Sequence, residues 1–326
     1  MTTSPAGIAW TLDDSRTPVV LHADAVGDPV AWVARHRAAL HQAVDDHRAV
    51  LVRGLGLRDA GTAGAVHREL ATTLITEREA FATRWTYEPG VYSSSKWPPN
   101  QPMCMHHELS YALEFPSRMQ FACLSAPASG GETAVADAAR VLTELPADLV
   151  DRCERDGWLL TRSYNDEIGI SWAEAFGTTD KAEVEAYCAS NEISLTWTAG
   201  NGLRTSQRRP AVVVDPRSGE RLWFNQIAFL NEWTMAPEVR EYLSDVYGRD
   251  GLPFNTSFGD GAEITEDVVQ VINKTYDSVT QALPWRDGDL LLLDNLRMAH
   301  SRPPYEGARE VLVAMADPIR RTQHHQ

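Results

Sequence analysis

The chain has 326 residues, 43% hydrophobic and 23% charged, an average globular composition with enough length for one large or two ordinary domains. Its formal net charge of −15 opposes nucleic-acid phosphates and anionic lipid heads, and no apolar run approaches the roughly 18 residues of a membrane span. Cys104, Cys123, Cys153 and Cys188 lie far apart without a C-x-x-C pair, and the start of the chain lacks a signal-peptide pattern, so they read as buried thiols of a cytoplasmic protein.

In chain order, apolar residues at helical spacing (Val30, Trp32, Val33, Leu40, Val44) predict a helix over 29–47, followed by a strand over 49–54. A second helix is predicted from 59 to about 74. Residues 87–103 are rich in Pro, Ser, Gly and Tyr without periodicity and read as a loop. That loop is either a packed surface segment or a lid, and as a lid it offers Tyr92, Ser93, Ser94, Ser95 and Trp97 to a substrate. Short strands are expected at 119–124 and 133–136, helices at 138–156 and 181–190, and strands at 210–214 and 221–227 around the turn Asp215-Pro216-Arg217-Ser218-Gly219. A helix over 265–283 precedes strands at 290–293 and 311–315. Without repeats or linkers, many short strands with inserted helices indicate a mainly β single domain, 1–326, with a jelly-roll core. Its N-terminal region, 1–102, is expected to pack on a core spanning 103–318.

Met105-His106-His107-Glu108 stands at the start of the strand-rich half. On an extended segment, residues two apart point the same way, so His106 and Glu108 face one ligand while His107 faces away. His300, after the apolar run, supplies a third donor, and two His with one carboxylate is the facial triad of non-haem Fe(II) oxygenases. H-x-E alone is common, and taken by itself it reads more simply as a surface His beside a capping Glu. The remaining histidines are read as solvated: His22, His36, His41, His47 and His67 mostly on polar helical faces, His324 and His325 in the C-terminal tail. Arg309, nine residues after His300, carries a fork suited to a carboxylate or to a surface partner such as Glu306 or Glu310. Thr133 could add a hydroxyl to the same anion or serve only as a strand residue.

Taken together, the ordered motifs His106-His107-Glu108-Leu109-Ser110-Tyr111, Gly130-Gly131-Glu132-Thr133-x-x-Ala136-Asp137, and Gly288-Asp289 through His300-x-Arg302-x-Pro304-Tyr305-x-Gly307-x-Arg309 resemble the taurine dioxygenase-like (TauD/TfdA) family of Fe(II)/2-oxoglutarate oxygenases. The resemblance implies a double-stranded β-helix, with His106, Glu108 and His300 as iron ligands and Arg309, helped by Thr133, binding the far carboxylate of 2-oxoglutarate. It implies a supporting or structural place for Arg302 and a pocket-facing Asn225. Glu108, where most members have Asp, points to the sub-branch that includes amino-acid hydroxylases of natural-product biosynthesis, and it fills the iron position that related halogenases leave to chloride. Val313, where some relatives place a second arginine, disfavours a sulfonate substrate.

The implied activity is oxidation of an unactivated C–H bond by O2, with 2-oxoglutarate converted to succinate and CO2. Hydroxylation is the default, and desaturation, epoxidation or cyclisation are alternative outcomes of the same oxidation. The expected substrate is an amino acid or a related small intermediate, free or tethered to an acyl or peptidyl carrier protein. Arg204, Arg208 and Arg209 form a basic cluster that either meets such an acidic partner or is simply solvated. Two other classes compete: a non-catalytic jelly-roll binding protein, and a zinc-dependent cupin-like enzyme, which needs no clamp such as Arg309 with Thr133.

Overall fold

Asp28 caps the first helix by accepting from the backbone N–H groups of Val30 and Ala31, and Pro29 occupies its first turn, so α1 runs Pro29–His47 as predicted. The structure is a computed structural model describing residues 12–13, 16–23, 26–82, 84–94, 97–165 and 167–321, so Ser95, His324 and His325 lie outside the described residues. Helix α2 (Ala60–Leu70) ends before the expected residue 74.

The first strands are β1 (Leu12–Asp13), β2 (Val19–His22), β3 (Ala49–Arg53), β4 (Thr86–Glu88) and β5 (Val91–Ser93). The last two form a hairpin inside the stretch read as loop, its turn at Gly90, whose φ of 81° suits glycine. They are followed by β6 (Met103–His106), β7 (Glu114–Ser125), β8 (Ser129–Gly130) and β9 (Ala134–Asp137). The helix expected over 138–156 is two, α3 (Ala138–Glu144) and α4 (Ala147–Asp156), because Pro146 between them has no N–H to continue the ladder. An insertion then supplies β10 (Trp158–Tyr164), the short α5 (Trp172–Phe176), α6 (Lys181–Ser190), β11 (Ser194–Thr198) and β12 (Gly202–Arg209). The hairpin β13 (Val212–Val214) and β14 (Arg221–Trp223) closes through the predicted turn, and α7 (Pro237–Tyr247) and β15 (Phe254–Phe258) follow. The chain finishes with α8 (Glu266–Val279), β16 (Leu290–Asp294), β17 (Met298–Arg302), β18 (Tyr305–Glu306) and β19 (Glu310–Arg320).

Eight strands form the main sheet in the order β1-β2-β3-β16-β7-β19-β5-β4, and β6-β17-β9 form a second, smaller one. The segment 1–102 therefore does not sit apart from 103–318; it supplies both flanks of the main sheet. Alternation along β7, β16 and β19 divides their side chains between two cores. Phe121, Leu291, Val313 and Met315 meet Met105, Val135 and Met298 of the small sheet, which is the interior of the jelly roll. Ala122, Leu290, Leu292 and Leu312 pack on the other side against Val33, Leu40, Val66 and Leu70 of α1 and α2. A four-stranded sheet, β11-β12-β10-β15, stands beside the core with its own cluster around Trp172, Phe176 and Leu203. Among the described residues no helix is long and apolar enough to cross a membrane.

Two charge readings change. His36 and His67 are buried rather than solvated, and His67 Nδ1 pairs with Gln120 Oε1 at 2.9 Å. The basic cluster splits across β12: Arg204 and Arg208 are exposed, whereas Arg209 is buried and donates to the carbonyls of Tyr111 and Asn191.

Candidate active site

Antiparallel pairing of β6 with β17 sets His106 opposite His300, with ring centroids 4.3 Å apart. The expectation that Glu108 shares a strand with His106 is corrected: β6 stops at His106, and Glu108 lies in the following turn, where Leu109 takes a φ of 53°. Asn295 holds that turn. Its Oδ1 accepts from Glu108 N–H at 2.9 Å, and its amide donates to the carbonyls of Glu108 at 3.0 Å and Pro116 at 2.8 Å. His107 faces away, with Nδ1 2.7 Å from Asn295 O and its ring against Phe224.

The turn aims one carboxylate oxygen, Glu108 Oε2, at both histidines, 4.0 Å from His106 Nε2 and 3.8 Å from His300 Nε2. These distances exceed hydrogen bonds, and the three donors lie within reach of one shared cation. The other oxygen, Oε1, accepts from Arg84 Nη2 at 3.1 Å. His106 Nδ1 donates to Cys104 O at 2.9 Å, which leaves its Nε2 lone pair free in the neutral ring. Burial pushes the pKa of His106 down and that of His300 well down, the latter reinforced by the other histidines, so both rings are neutral and able to ligate. Two neutral imidazoles and one carboxylate with no competing partner at Oε2 among the described residues fit a divalent iron.

A small cavity of about 40 Å³ adjoins the three donors and is lined by Ser94, Thr133, Arg302 and Arg309 among others. Arg309 donates through Nε to Gly131 O at 2.8 Å and through Nη1 to Ser94 Oγ at 3.1 Å. No carboxylate lies within ion-pair distance of it among the described residues, and burial, with Arg302 nearby, lowers its pKa to about 10. A desolvated guanidinium without a counter-ion suits an incoming carboxylate. Arg302 itself donates to the carbonyls of Trp97, Pro98 and Gln101, so it staples the loop before β6.

His106 and Glu108 also line a larger chamber of about 460 Å³, walled mostly by apolar side chains including Phe81, Trp97, Phe229, Leu230 and Phe254. Trp97 thus lines this chamber, whereas Ser94 touches Arg309 instead. Asn225 is turned away from this chamber: its amide donates to Ala211 O and its Oδ1 accepts from Ile227 N–H. The neighbouring Gln226 lines the wall and donates to His107 O at 2.6 Å. Sequence reasoning missed Arg84, which lines both cavities, and Glu77, its second ionic partner at 3.5 Å. The two carboxylates outweigh the effect of burial and raise the pKa of Arg84, so it stays charged. Nothing in the local sequence marks either residue. Asn295 had a signal, its place directly after the Leu290–Asp294 run and shortly before His300.

Comparison with known proteins agrees with this geometry. Dapdiamide synthesis protein DdaC of Enterobacter agglomerans is 32% identical over 280 residues, 86% of this chain and 85% of that protein. A clavaminate synthase-like protein of Arabidopsis thaliana is 29% identical over 278 residues, 82% of this chain and 81% of its own length. Among solved structures, PvcB of Pseudomonas aeruginosa superposes with a TM-score of 0.57 at 14% identity, covering 98% of this chain and 97% of that one. PvcB is described as an Fe, alpha-ketoglutarate dependent oxygenase from an isonitrile synthetic pathway. A putative alpha-ketoglutarate-dependent taurine dioxygenase of Burkholderia xenovorans gives a TM-score of 0.52 at 16% identity, over 96% and 95% of the two chains. Residues 17–315 match the sequence profile of the taurine catabolism dioxygenase TauD, TfdA family, and the chain belongs to that family as an Fe(II)- and 2-oxoglutarate-dependent oxygenase on a jelly-roll fold.

Proposed function

We propose that His106, Glu108 and His300 hold Fe(II), and that Arg309, with Ser94 and Thr133 beside it, receives the far carboxylate of 2-oxoglutarate. The substrate is an amino acid or an amino-acid-derived natural-product intermediate, free or carried by an acyl or peptidyl carrier protein, and it occupies the larger chamber. Hydroxylation of an unactivated C–H bond is the default outcome, with desaturation, epoxidation or cyclisation as other fates of the same substrate. The observation that carries the reading is the convergence of His106, Glu108 and His300 on the smaller cavity, beside a guanidinium with no carboxylate partner among the described residues, while His106 and Glu108 also line the largely apolar chamber. The similarity to a dapdiamide synthesis protein supports the substrate class. Intertwining of 1–102 with the main sheet supports one domain over 1–326, and four cysteines outside any disulfide support a reducing, cytoplasmic setting.

Bound iron supplies the activation of O2. The chain supplies the rest. Cys104 O fixes the tautomer of His106, Asn295 fixes the turn that presents Glu108, and Arg84 occupies Oε1 so that Glu108 offers a single oxygen to the metal. Phe229, stacked on His106 with centroids 4.6 Å apart, and Phe81 and Leu230 exclude water and press the substrate's apolar body toward the donors. The test is succinate formation from 2-oxoglutarate under O2 with Fe(II) and pooled amino-acid derivatives. The proposal expects iron-dependent succinate that is lost in His300→Ala; succinate that survives that substitution contradicts it.

A further inference from the structure

The chamber's charges say more about the substrate than its size does. Of the described residues lining it, Arg84 is the only Lys or Arg, and it is already shared between Glu108 and Glu77. Glu77 is half-buried and unlike the buried carboxylates around it. Its side chain is 10% exposed and lines the chamber, yet its oxygens accept no hydrogen bond among the described residues and have only the 3.5 Å ionic contact with Arg84 Nε. Glu79, two residues on, shows what a satisfied buried carboxylate looks like in this fold: it accepts from Tyr187 Oη at 2.8 Å and from Gln207 Nε2 at 3.1 Å. That anchoring also keeps Glu77 in place, since Arg162 ties the carbonyls of Glu79 and Ala80 to the inserted sheet and Tyr92 Oη contacts Glu77 N–H at 2.9 Å.

A rigidly held, nearly dry carboxylate with free acceptor capacity is matched by a donor that brings its own positive charge. We propose that Glu77 receives a cationic nitrogen of the substrate, an ammonium or guanidinium, and that the substrate's carboxyl is absent or masked as an amide or ester. The second half follows from the same inventory: a free carboxylate would meet Glu77 and Glu108 with no uncommitted cation among the described residues to receive it. The apolar part then lies along Phe81, Phe229 and Phe254. This inference rests on the oxygenase reading of the site above and names the substrate chemistry it selects.

The test uses the full chain with Fe(II) and 2-oxoglutarate under anaerobic conditions, where the weak visible metal-to-ligand charge-transfer band reports the loaded site. A panel of apolar amino acids is presented in three forms, as the amino amide, the N-acetyl amide and the free amino acid, and binding is read from perturbation of the band and by calorimetry. The expectation is that amino amides bind more tightly than both counterparts, and that Glu77→Gln weakens them roughly 10- to 100-fold while N-acetyl amides are unaffected. A purely structural role for Glu77 would weaken all three forms alike. Free acids binding as well as amides, loss in Glu77→Gln that ignores the amine, or a panel in which no amino amide binds would each overturn the inference. Absence of the band itself would instead overturn the oxygenase reading, so the two failures are distinguishable.

Discussion

Glu108 divides its two oxygens between different tasks, Oε2 facing both histidines and Oε1 facing Arg84, and the smaller cavity is built on the same principle of one group with one uncommitted atom. Arg309 spends two donors on Gly131 O and Ser94 Oγ and has no carboxylate partner among the described residues. Charge-assisted hydrogen bonds contribute about 1.5–3 kcal/mol each, so Arg309→Met is expected to raise the Kd for 2-oxoglutarate roughly 10- to 100-fold. Anaerobic titration of the iron-loaded protein measures it, and an unchanged Kd would remove Arg309 from the site. Away from the site, His67 is fully buried, and desolvation lowers its pKa to about 4 despite the bond to Gln120. An unfolded chain protonates this ring near its ordinary value of about 6.5, so the unfolded state binds the proton first as pH falls. The stabilisation due to neutral His67 is therefore complete above pH 6.5 and declines as pH drops toward 4, by up to roughly 3 kcal/mol. Urea unfolding at pH 7 and pH 4.5 should show a shallower pH dependence in His67→Gln than in wild type; equal slopes would contradict the assignment.

At the scale of elements, the Gly130-Gly131 pair couples the β8–β18 ribbon to Arg309, the arginine proposed to receive 2-oxoglutarate. Gly131 has a φ of 69°, and a Cβ there would stand 2.8 Å from Tyr305 Cβ and 3.1 Å from Arg309 Cδ; at Gly130 (φ 67°) it would collide with Pro304 O. Gly131→Ala is thus expected to cost about 1–2 kcal/mol of stability through its backbone and to weaken 2-oxoglutarate binding several-fold by displacing Arg309. Thermal unfolding and the anaerobic titration together check this; a variant with lower stability but unaltered co-substrate binding would uncouple the two. Elements of this kind were legible because their signals are local: Asp28-Pro29 at α1, the 215–219 turn, the apolar run of β16. The inserted sheet was not legible. Its strand β10 pairs with β15, about a hundred residues on, and carries exposed or half-exposed residues such as Leu159, Thr161 and Ser163 in alternation with its buried ones. Pro146 was a visible break that the continuing apolar spacing of Leu142, Leu145 and Leu149 masked. The strand argument for Glu108 reached the right neighbours through the wrong conformation, because what presents Glu108 is Asn295, 187 residues later, and no spacing rule reports a bond of that length.

For the whole molecule, the site exists only where distant segments meet: the 77–84 loop, the end of β6 and its turn, β17, and β19's edge. Motif order in the sequence names His106, Glu108, His300, Arg309 and Thr133, since their chemistry is carried by residue type. Arg84 and Glu77 were hidden because their contribution comes from position alone, on a loop anchored by Glu79 to the inserted sheet. The chain's net charge of −15 makes the pair Arg302 and Arg309 a local exception, held against the desolvation that lowers the pKa of both. The account's central claim is that His106, Glu108 and His300 together form one iron site beside the Arg309 cavity. The most direct measurement adds Fe(II) and then 2-oxoglutarate to the protein without O2 and records the visible spectrum, with His300→Ala in parallel. A weak charge-transfer band in the wild type that is absent from His300→Ala is the predicted result. A folded wild-type protein that binds iron without developing the band, or a variant that develops it equally, would contradict the claim and return the zinc-enzyme and binding-protein readings to the front.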